Sequence, residues 1–236
     1  MGEAIRGVLF DKDGTLINFS RTWAPALREA ALFASRGDEA MADKLLLAGG
    51  CNPKTGEVAG GSLLAGGTNR DLAEAWIAEI DGWALDHLTR NLDEIFTRLG
   101  VPHAEALTDL PNLFDALVAR DLIVGVATSD CALSAELTLE RFGALELVAF
   151  LSGYDSGHGS KPGPGQALAF CTACGLAPGE IAVVGDNYHD LEMAAKAGAG
   201  LKIAVLSGTG TRDQLEPLAD VVIASIAEIG PVLDAA

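Results

Sequence analysis

Hydrophobic residues occur along this chain mainly in short continuous runs, which do not alternate with polar residues. Continuous apolar runs of four to six residues, each ending at polar residues or glycine, are typical of strands covered on both faces, as in a parallel sheet. The pattern predicts six strands, over residues 7–10, 122–127, 147–151, 181–184, 202–206 and 221–224.

Segments with apolar residues at helical spacing lie between the later strands. Alternating strands and helices are typical of a doubly wound α/β fold, in which right-handed crossovers connect parallel strands. The predicted helices of this part of the chain cover residues 113–120, 132–142, 164–174, 190–197 and 212–218.

The pattern changes between the first predicted strand and residue 103. Residues 18–103 contain no convincing strand, and helical spacing recurs over 22–36, 39–47 and 69–99, with a break near Asp81 and Gly82. A Gly-rich stretch over 49–67 is typical of turns, and it lacks the Gly-Lys-Ser/Thr ending of a phosphate-binding P-loop. We therefore expect a helical domain at 18–103, inserted into an α/β core built from 1–17 and 104–236.

Polar residues that phosphoryl chemistry uses follow several of the predicted strands. Ligands of open α/β sheets bind outside the carboxyl ends of the strands, so we expect these side chains to meet at one edge. The candidates are Asp11, Asp13 and Gly14 after the first strand, Thr128 and Ser129 after the second, Lys161 in a loop before Pro162, and Asp186 and Asp190 after the fourth.

The order and spacing of these segments resemble the haloacid dehalogenase-like (HAD) hydrolases, a large family of mostly Mg-dependent phosphatases. The resemblance covers residues 1–16 and 107–236. The helical insert is similar only in position and character to the cap of the branch that contains phosphoglycolate phosphatases and β-phosphoglucomutases. The resemblance implies a Rossmann-like parallel sheet with an α-helical cap domain, and a small phosphorylated metabolite as substrate.

Each candidate has a chemical role in such a reaction. The Asp11 carboxylate can attack phosphorus and form an aspartyl-phosphate, and Asp13 can serve as general acid and base. Gly14 permits a sharp turn, although Asp and Gly are also common in ordinary turns. Thr128 and Ser129 can hold phosphoryl oxygens or simply cap the following helix. The Lys161 ammonium can neutralise the phosphoryl group.

Four carboxylates at one sheet edge would repel one another unless a cation lies among them. Mg²⁺ suits such a site because it prefers oxygen ligands and binds through few carboxylates plus substrate phosphate. The resemblance implies that the Asp11 carboxylate, the Asp13 backbone carbonyl and the Asp186 carboxylate bind the metal directly. Asp190 would act indirectly or through water, or is simply a carboxylate at a helix start.

A Mg-dependent phosphatase acting on a phosphoglycolate-like ester is the leading hypothesis. A phosphomutase of the β-phosphoglucomutase type uses the same core, and a non-catalytic phosphometabolite-binding protein is a third alternative. Arg70, in the cap, could reach a substrate carboxylate or sugar, or lie on the surface. Lys12 either adds positive charge beside the nucleophile or points into solvent. His158 either contacts substrate or has no role.

Composition and charge limit the kinds of partner and the cellular location that we expect for this protein. The formal net charge of −17 disfavours binding to nucleic acid. No apolar run approaches the roughly 20 residues of a membrane span, and no signal sequence is evident, so we expect no membrane association and a cytoplasmic location. Cys171 and Cys174 have redox-motif spacing, but they lie in a predicted helix without further zinc ligands, so we expect buried thiols. Nothing in the pattern predicts the oligomeric state.

Overall fold

A parallel β-sheet lies at the centre of the protein, which the computed structural model describes over residues 4–235. Within that range six strands pair in the order β3-β2-β1-β4-β5-β6, all parallel. The predicted doubly wound α/β fold is therefore confirmed. The strands are β1 (Gly7–Phe10), β2 (Ile123–Ala127), β3 (Phe150–Ser152), β4 (Ile181–Gly185), β5 (Leu201–Val205) and β6 (Val221–Ile223).

The two central strands explain why the apolar runs are continuous. Every residue of β1 and β4 is buried, and Leu9 pairs with Gly125 of β2 on one side and Val183 of β4 on the other. Successive side chains point to opposite faces, so Phe10 packs against Phe114 while Leu9 joins the core on the other face. Both faces of the sheet are thus covered by helices.

The helices around the sheet begin and end close to the predicted bounds, with local exceptions. Asp109 caps the first of them by accepting a hydrogen bond from the Asn112 N–H, so this helix starts before residue 113. The strand predicted at 147–151 is shorter, because Leu145–Leu147 form a 3₁₀ turn. These helices are α6 (Leu110–Val118), α7 (Ala132–Arg141), α8 (Gly165–Cys174), α9 (Tyr188–Ala197), α10 (Arg212–Leu215) and α11 (Ile229–Asp234).

The helices between β1 and α6 pack around a hydrophobic core of their own. Trp76 is fully buried there, and its indole N–H donates to the Leu45 carbonyl at 2.9 Å. Ala30, Leu88 and Leu92 belong to the same cluster. The helices are α1 (Phe19–Ala34), α2 (Glu39–Gly49), α3 (Leu63–Gly66), α4 (Asn69–Ile77) and α5 (Leu85–His103), and we call them together the helical insert.

Two chain segments that lie side by side join the helical insert to the sheet. Ile17 forms an antiparallel bridge with Ala106. The Asn18 N–H donates to the Glu105 carbonyl at 2.8 Å, and the Leu107 N–H donates to the Leu16 carbonyl at 2.9 Å. The insert therefore leaves and re-enters the core at one point.

The cysteines are free thiols, and most of them are buried. Cys51, Cys131 and Cys171 are buried free thiols and Cys174 is half-buried, and burial raises the pKa of Cys171 and Cys174. Over residues 4–235, no helix is both long and apolar enough to cross a membrane.

Candidate active site

The carboxyl ends of β1 and β4 bring Asp11 and Asp186 together. The Asp11 N–H donates to the Val184 carbonyl at 2.8 Å, which continues the strand pairing to the sheet edge. Gly14 follows with φ +92°, and a Cβ there would lie only 2.6 Å from an Asp186 oxygen. The turn after β1 thus needs glycine both for its backbone conformation and for its close approach to Asp186.

Lys161 enters the same place from the loop before α8. Its ammonium contacts Asp11 Oδ1 and Asp190 Oδ1, both at 2.6 Å, and its side chain is almost completely buried. Burial lowers the pKa of this ammonium, but the charges of Asp11 and Asp190 outweigh burial and hold the pKa above its usual range. Lys161 is therefore a permanent cation beside Asp11.

Asp11, Asp186 and Asp190 form a buried carboxylate cluster suited to a metal ion. One oxygen from each lies within 4.8 Å of the others. Burial raises the pKa of Asp11 to about 6 against the opposing charge of Lys161, and burial together with the neighbouring aspartates raises the pKa of Asp186. Lys161 supplies one positive charge for these three carboxylates, so the cluster has an excess of negative charge. A set of donors that are all oxygen atoms fits Mg²⁺.

The hydrogen bonds of the two later aspartates differ. Asp190 Oδ1 accepts from Lys161, and its Oδ2 accepts from the Asn187 N–H at 3.1 Å. Asp186 is held by the Thr209 N–H at 2.7 Å and by the more distant Thr15 hydroxyl at 3.4 Å. Both oxygens of each aspartate accept hydrogen bonds, but Asp186 Oδ1 has only the long contact with Thr15, whereas both Asp190 oxygens have closer donors. Asp186 is therefore the freer of the two to bind a metal directly.

A second charged cluster surrounds Asp13. The Lys12 side chain is fully buried, with its ammonium 2.8 Å from Asp13 Oδ1 and 3.0 Å from Asp130 Oδ2. The contact with Asp130 is an ion pair without hydrogen-bond alignment. Trp23 of α1 donates its indole N–H to Asp13 Oδ1 at 2.8 Å, and the Lys12 ammonium lies 4.8 Å from the centre of the same indole. Of the two alternatives for Lys12, the one in which it points into solvent is wrong, because its side chain is fully buried.

Burial and charge set the protonation of this cluster. Burial raises the pKa of Asp13 to about 6, against the lowering effect of Lys12. Burial lowers the pKa of Lys12, but Asp13 and Asp130 outweigh it and the pKa lies above its usual range. A carboxyl group whose pKa lies near neutrality can both release and accept a proton, which general acid and base catalysis requires.

The two hydroxyl residues after β2 have different surroundings. Thr128 is buried, and its hydroxyl donates to Asp13 Oδ2 at 3.4 Å and accepts from the Asp130 N–H at 3.1 Å. The Ser129 hydroxyl donates to the Gly66 carbonyl of the helical insert at 2.9 Å. Thr128 thus lies against Asp13, and Ser129 links the sheet edge to the insert.

A cavity lies between this sheet edge and the helical insert. About 70 Å³ of it is accessible to the centres of water molecules. Five aspartates and Lys161 form its sheet side, and most of the side chains that the insert contributes are apolar. The lining residues are Asp11, Asp13, Phe19, Trp23, Leu27, Leu63, Leu64, Ala65, Gly66, Gly67, Thr68, Asn69, Leu72, Phe96, Ser129, Asp130, Lys161, Asp186, Asn187, His189 and Asp190.

Two residues considered from the sequence lie away from the cavity. Arg70 is exposed and pairs with Asp86 at 2.8 Å, because Thr68 and Asn69 occupy the cavity-facing side where α4 begins. Of the two alternatives stated for Arg70, its position is that of a surface arginine. His158 is also exposed, with its ring 6.0 Å from that of Phe150.

Four residues of the site were not predicted from the sequence as site residues. In the sequence, Asp130 is only the polar residue that follows Thr128 and Ser129, and two alternatives stand for Lys12. Trp23 gave no signal beyond helical spacing. His189 lines the cavity with its Nδ1 buried and unpaired among the described residues, and burial lowers the pKa of its imidazole. Only its place between Asp186 and Asp190 could have indicated it.

A further contact joins the helical insert to the core. The Tyr154 hydroxyl, after β3, donates to the Asp93 carboxylate of α5 at 2.9 Å. The Asn69 side-chain amide donates to the same carboxylate at 2.9 Å. Burial raises the pKa of Asp93 to about 6. This contact, together with those of Trp23 and Ser129, holds the insert over the sheet edge.

The sequence of this chain is similar to those of known hydrolases. A family model for haloacid dehalogenase-like hydrolases matches residues 5–198. The N-acetylmuramic acid 6-phosphate phosphatase of Pseudomonas putida is 26% identical over 194 residues, which cover 82% of this chain and 80% of that protein. The phosphoglycolate phosphatase of Escherichia coli K12 is 28% identical over 240 residues, covering 98% and 93%.

Solved structures have the same fold. The crystal structure of CbbY from Rhodobacter sphaeroides in complex with phosphate matches with a TM-score of 0.74 at 22% identity, covering 98% of this chain and 99% of that one. A hydrolase from Pseudomonas syringae matches with the same TM-score and identity, covering 98% of each chain. Because the family model spans most of the sequence, the chain belongs to the haloacid dehalogenase-like hydrolases, and the predicted hydrolase class is confirmed.

Proposed function

We propose that this protein is a Mg-dependent phosphatase that hydrolyses a small phosphomonoester, of about the size of phosphoglycolate, through a phosphoenzyme on Asp11. The observation that carries the proposal is the buried arrangement in which Lys161 bridges Asp11 and Asp190 beside Asp186, with Asp13 close by. The names of relatives, which include phosphoglycolate and N-acetylmuramic acid 6-phosphate phosphatases, support the substrate class.

In the first step the Asp11 carboxylate attacks phosphorus, and the bond from phosphorus to the leaving oxygen breaks. Lys161 holds Asp11 Oδ1 at 2.6 Å, which orients the carboxylate and leaves Oδ2 free of this lysine contact. Asp13 in its protonated form gives a proton to the leaving oxygen, so the product departs as a neutral alcohol. Lys161 also offsets negative charge on the phosphoryl group.

In the second step a water molecule attacks the phosphorus of the phosphoenzyme. Asp13, now ionised, accepts the proton of that water, and the Asp11 carboxylate is released together with inorganic phosphate. Lys12, Trp23 and Thr128 keep the Asp13 carboxylate in one orientation through both steps. A carboxyl pKa near 6 suits this double role.

Asp11, Asp186 and the Asp13 backbone carbonyl would hold Mg²⁺, with Asp190 indirect, and the bound ion would supply positive charge to the phosphoryl oxygens. Residues 18–103 would act as a cap domain and residues 1–17 with 104–236 as the catalytic core. The contacts of Trp23 and Ser129 across the cavity support a closed cap that excludes bulk water.

Phosphate release from a panel of small phosphomonoesters with Mg²⁺ tests the proposal. Wild type should release phosphate, and both EDTA and Asp11→Asn should abolish release. Asp13→Asn should lower kcat by roughly 10²–10⁴-fold. Asp115→Asn, an exposed aspartate of α6, is the matched control and should retain full activity.

Wild type that releases no phosphate, or an Asp11→Asn enzyme as active as wild type, would contradict the proposal. Product analysis of the same reactions separates the phosphomutase alternative, because a mutase moves the phosphoryl group within the substrate and releases no inorganic phosphate.

A further inference from the structure

The part of the cavity wall that the helical insert contributes is uncharged. Leu27, Leu63, Leu72 and Phe96 belong to its apolar surface. The polar side chains that the insert adds, those of Thr68 and Asn69, are both neutral. A leaving group bound between the sheet edge and the insert would therefore face a neutral wall.

Negative charge is in excess on the opposite, sheet side. Five aspartates line the cavity, and Lys161 is the one lysine or arginine among its lining residues. Its ammonium is already engaged at 2.6 Å with Asp11 and with Asp190. Lys12 behind the wall is likewise engaged with Asp13 and Asp130. Among the described residues, a carboxylate on the leaving group would thus find no lysine or arginine of the cavity free to pair with it.

A bound divalent ion leaves no positive charge to spare. With Asp13 protonated, as the first step requires, four carboxylates against the two ammonium groups of Lys12 and Lys161 give a formal charge of two negative units, which the ion would only balance. The phosphoryl dianion then adds its own negative charge. A further carboxylate beside the phosphate would enter a buried site that is already negative, which is costly without a partner.

An uncharged polar group, in contrast, finds a suitable partner in the cavity. Asn69 uses its side-chain Nδ2 to bind Asp93, and its side-chain oxygen Oδ1 accepts no hydrogen bond from any residue in the described range 4–235. This oxygen can accept a hydrogen bond from a hydroxyl or amide group of a ligand.

The cavity is also small. About 70 Å³ of it is accessible to the centres of water molecules, room for only a few of them. This space suits a phosphate group with a short leaving group while the insert stays closed.

We propose that the substrate is a phosphomonoester of a small uncharged alcohol or polyol, and that the site discriminates against esters with a carboxylate next to the phosphate. The inference rests on the proposed phosphatase function. In this proposal the site distinguishes among small phosphomonoesters by the charge of the leaving group and not by the size of that group.

Three ligands of nearly equal size test this selectivity: 2-phosphoglycolate, its amide 2-phosphoglycolamide, and 2-hydroxyethyl phosphate. The values of kcat/KM are compared with Mg²⁺ at pH 8, where an ordinary imidazole is neutral. We expect the two neutral esters to exceed phosphoglycolate by at least about tenfold, because an unpartnered buried charge costs more than a partnered neutral group. Kd values measured by calorimetry on Mg-loaded Asp11→Asn protein should follow the same order without turnover.

Substitutions in the wall provide the second arm. Leu63→Arg places a cation on the insert side and should shift the kcat/KM ratio toward phosphoglycolate by at least about tenfold. Leu63→Met, which keeps the wall apolar, and Arg70→Ala, which removes an arginine outside the cavity, should leave the ratio unchanged.

The outcomes separate the two proposals. Wild type that turns over or binds phosphoglycolate as well as its amide overturns this inference and leaves the phosphatase function standing. An unchanged ratio in folded Leu63→Arg protein also overturns it. No phosphate release from any ester, p-nitrophenyl phosphate included, overturns the proposed function and this inference together.

Discussion

Replacing Lys12 with methionine tests the buried charged cluster around Asp13. The Lys12 side chain is fully buried, and its ammonium compensates Asp13 at 2.8 Å and Asp130 at 3.0 Å. Methionine has a similar length but no charge, so both carboxylates would lose their compensating cation. Removing one partner of a buried ion pair costs about 3–5 kcal/mol, and we expect a loss of stability in this range for Lys12→Met.

A double-mutant cycle assigns this loss to the ion pairs. Asp130→Asn keeps the pair of Lys12 with Asp13 and should cost less, about 1–3 kcal/mol. The double variant Lys12→Met/Asp130→Asn should be more stable than the sum of the single losses predicts, by about 0.5–3 kcal/mol. The free energies of unfolding come from urea titrations followed by circular dichroism.

An exposed lysine supplies the matched control. Lys196 of α9 pairs with Glu192 at 2.9 Å, but its side chain is 48% exposed. Because solvent screens exposed pairs, Lys196→Met should change stability by no more than about 0.5 kcal/mol. The comparison of Lys12→Met with Lys196→Met isolates the effect of burial, since the N–O distances of the Lys12–Asp13 and Lys196–Glu192 pairs are almost equal.

The same substitution should shift the pH dependence of activity. The positive charge of Lys12 favours the ionised form of Asp13, so its removal raises the pKa of Asp13 further above about 6. If Asp13 gives its proton to the leaving group, kcat/KM falls as pH rises through that pKa. The falling limb should therefore move to higher pH in Lys12→Met. A stability loss below about 1 kcal/mol together with an unmoved limb would refute this account of the cluster.

Three further substitutions test the contacts of the site. Trp23→Phe removes the indole N–H that donates to Asp13 from the helical insert. Assays of phosphate release should show kcat/KM about tenfold lower, and the free energy of unfolding should change by less than this corresponds to. Gly14→Ala places a Cβ 2.6 Å from an Asp186 oxygen at φ +92°, so urea titration should show a less stable protein and phosphate release should be lost. The control is Gly143→Ala, whose added Cβ has no atom within 4 Å, and it should retain activity. In the folded state, burial raises the pKa of Asp93 from its ordinary value of 3.8 to about 6. Protonation of Asp93 therefore stabilises the folded protein at low pH, and this stabilisation is lost as pH rises from about 4 to 6. Relative to Asp93→Asn, wild type should lose about 1–2 kcal/mol across that window, allowing for partial exposure, and parallel pH curves would contradict this.

The sheet could be predicted from the sequence because its signal is local. Continuous apolar runs such as Gly7–Phe10 and Ile181–Gly185 reflect strands buried on both faces, and the polar residue after each run necessarily lies at one edge of a parallel sheet. That edge explains why Asp11 and Asp186 could be paired without knowledge of any contact.

The partners of Lys12 depend on geometry that the local pattern does not contain. Asp130 lies 118 positions later along the chain and reaches Lys12 because β1 and β2 are adjacent and in register. Trp23 reaches Asp13 only because the helical insert folds back over the sheet edge. Periodicity identifies the helix that contains Trp23, but it does not fix where that helix lies.

The orientation of α4 explains the difference at Arg70. The sequence showed an arginine at a helix start, and either side of that helix could have faced the substrate. In the structure the start of α4 presents Thr68 and Asn69 to the cavity, and Arg70 turns outward toward Asp86. Neighbouring helical residues differ in direction by about 100°, so a position one residue away can have a different environment.

Trapping the phosphoenzyme tests the central claim most directly. Wild type, Asp11→Asn and the control Asp115→Asn are mixed with Mg²⁺ and a turned-over phosphomonoester, quenched in acid, digested and examined by mass spectrometry. The account predicts one phosphoryl group on the peptide that contains Asp11 in wild type and Asp115→Asn, and none in Asp11→Asn. Phosphoryl label on another peptide, or phosphate release by Asp11→Asn at the wild-type rate, would contradict it.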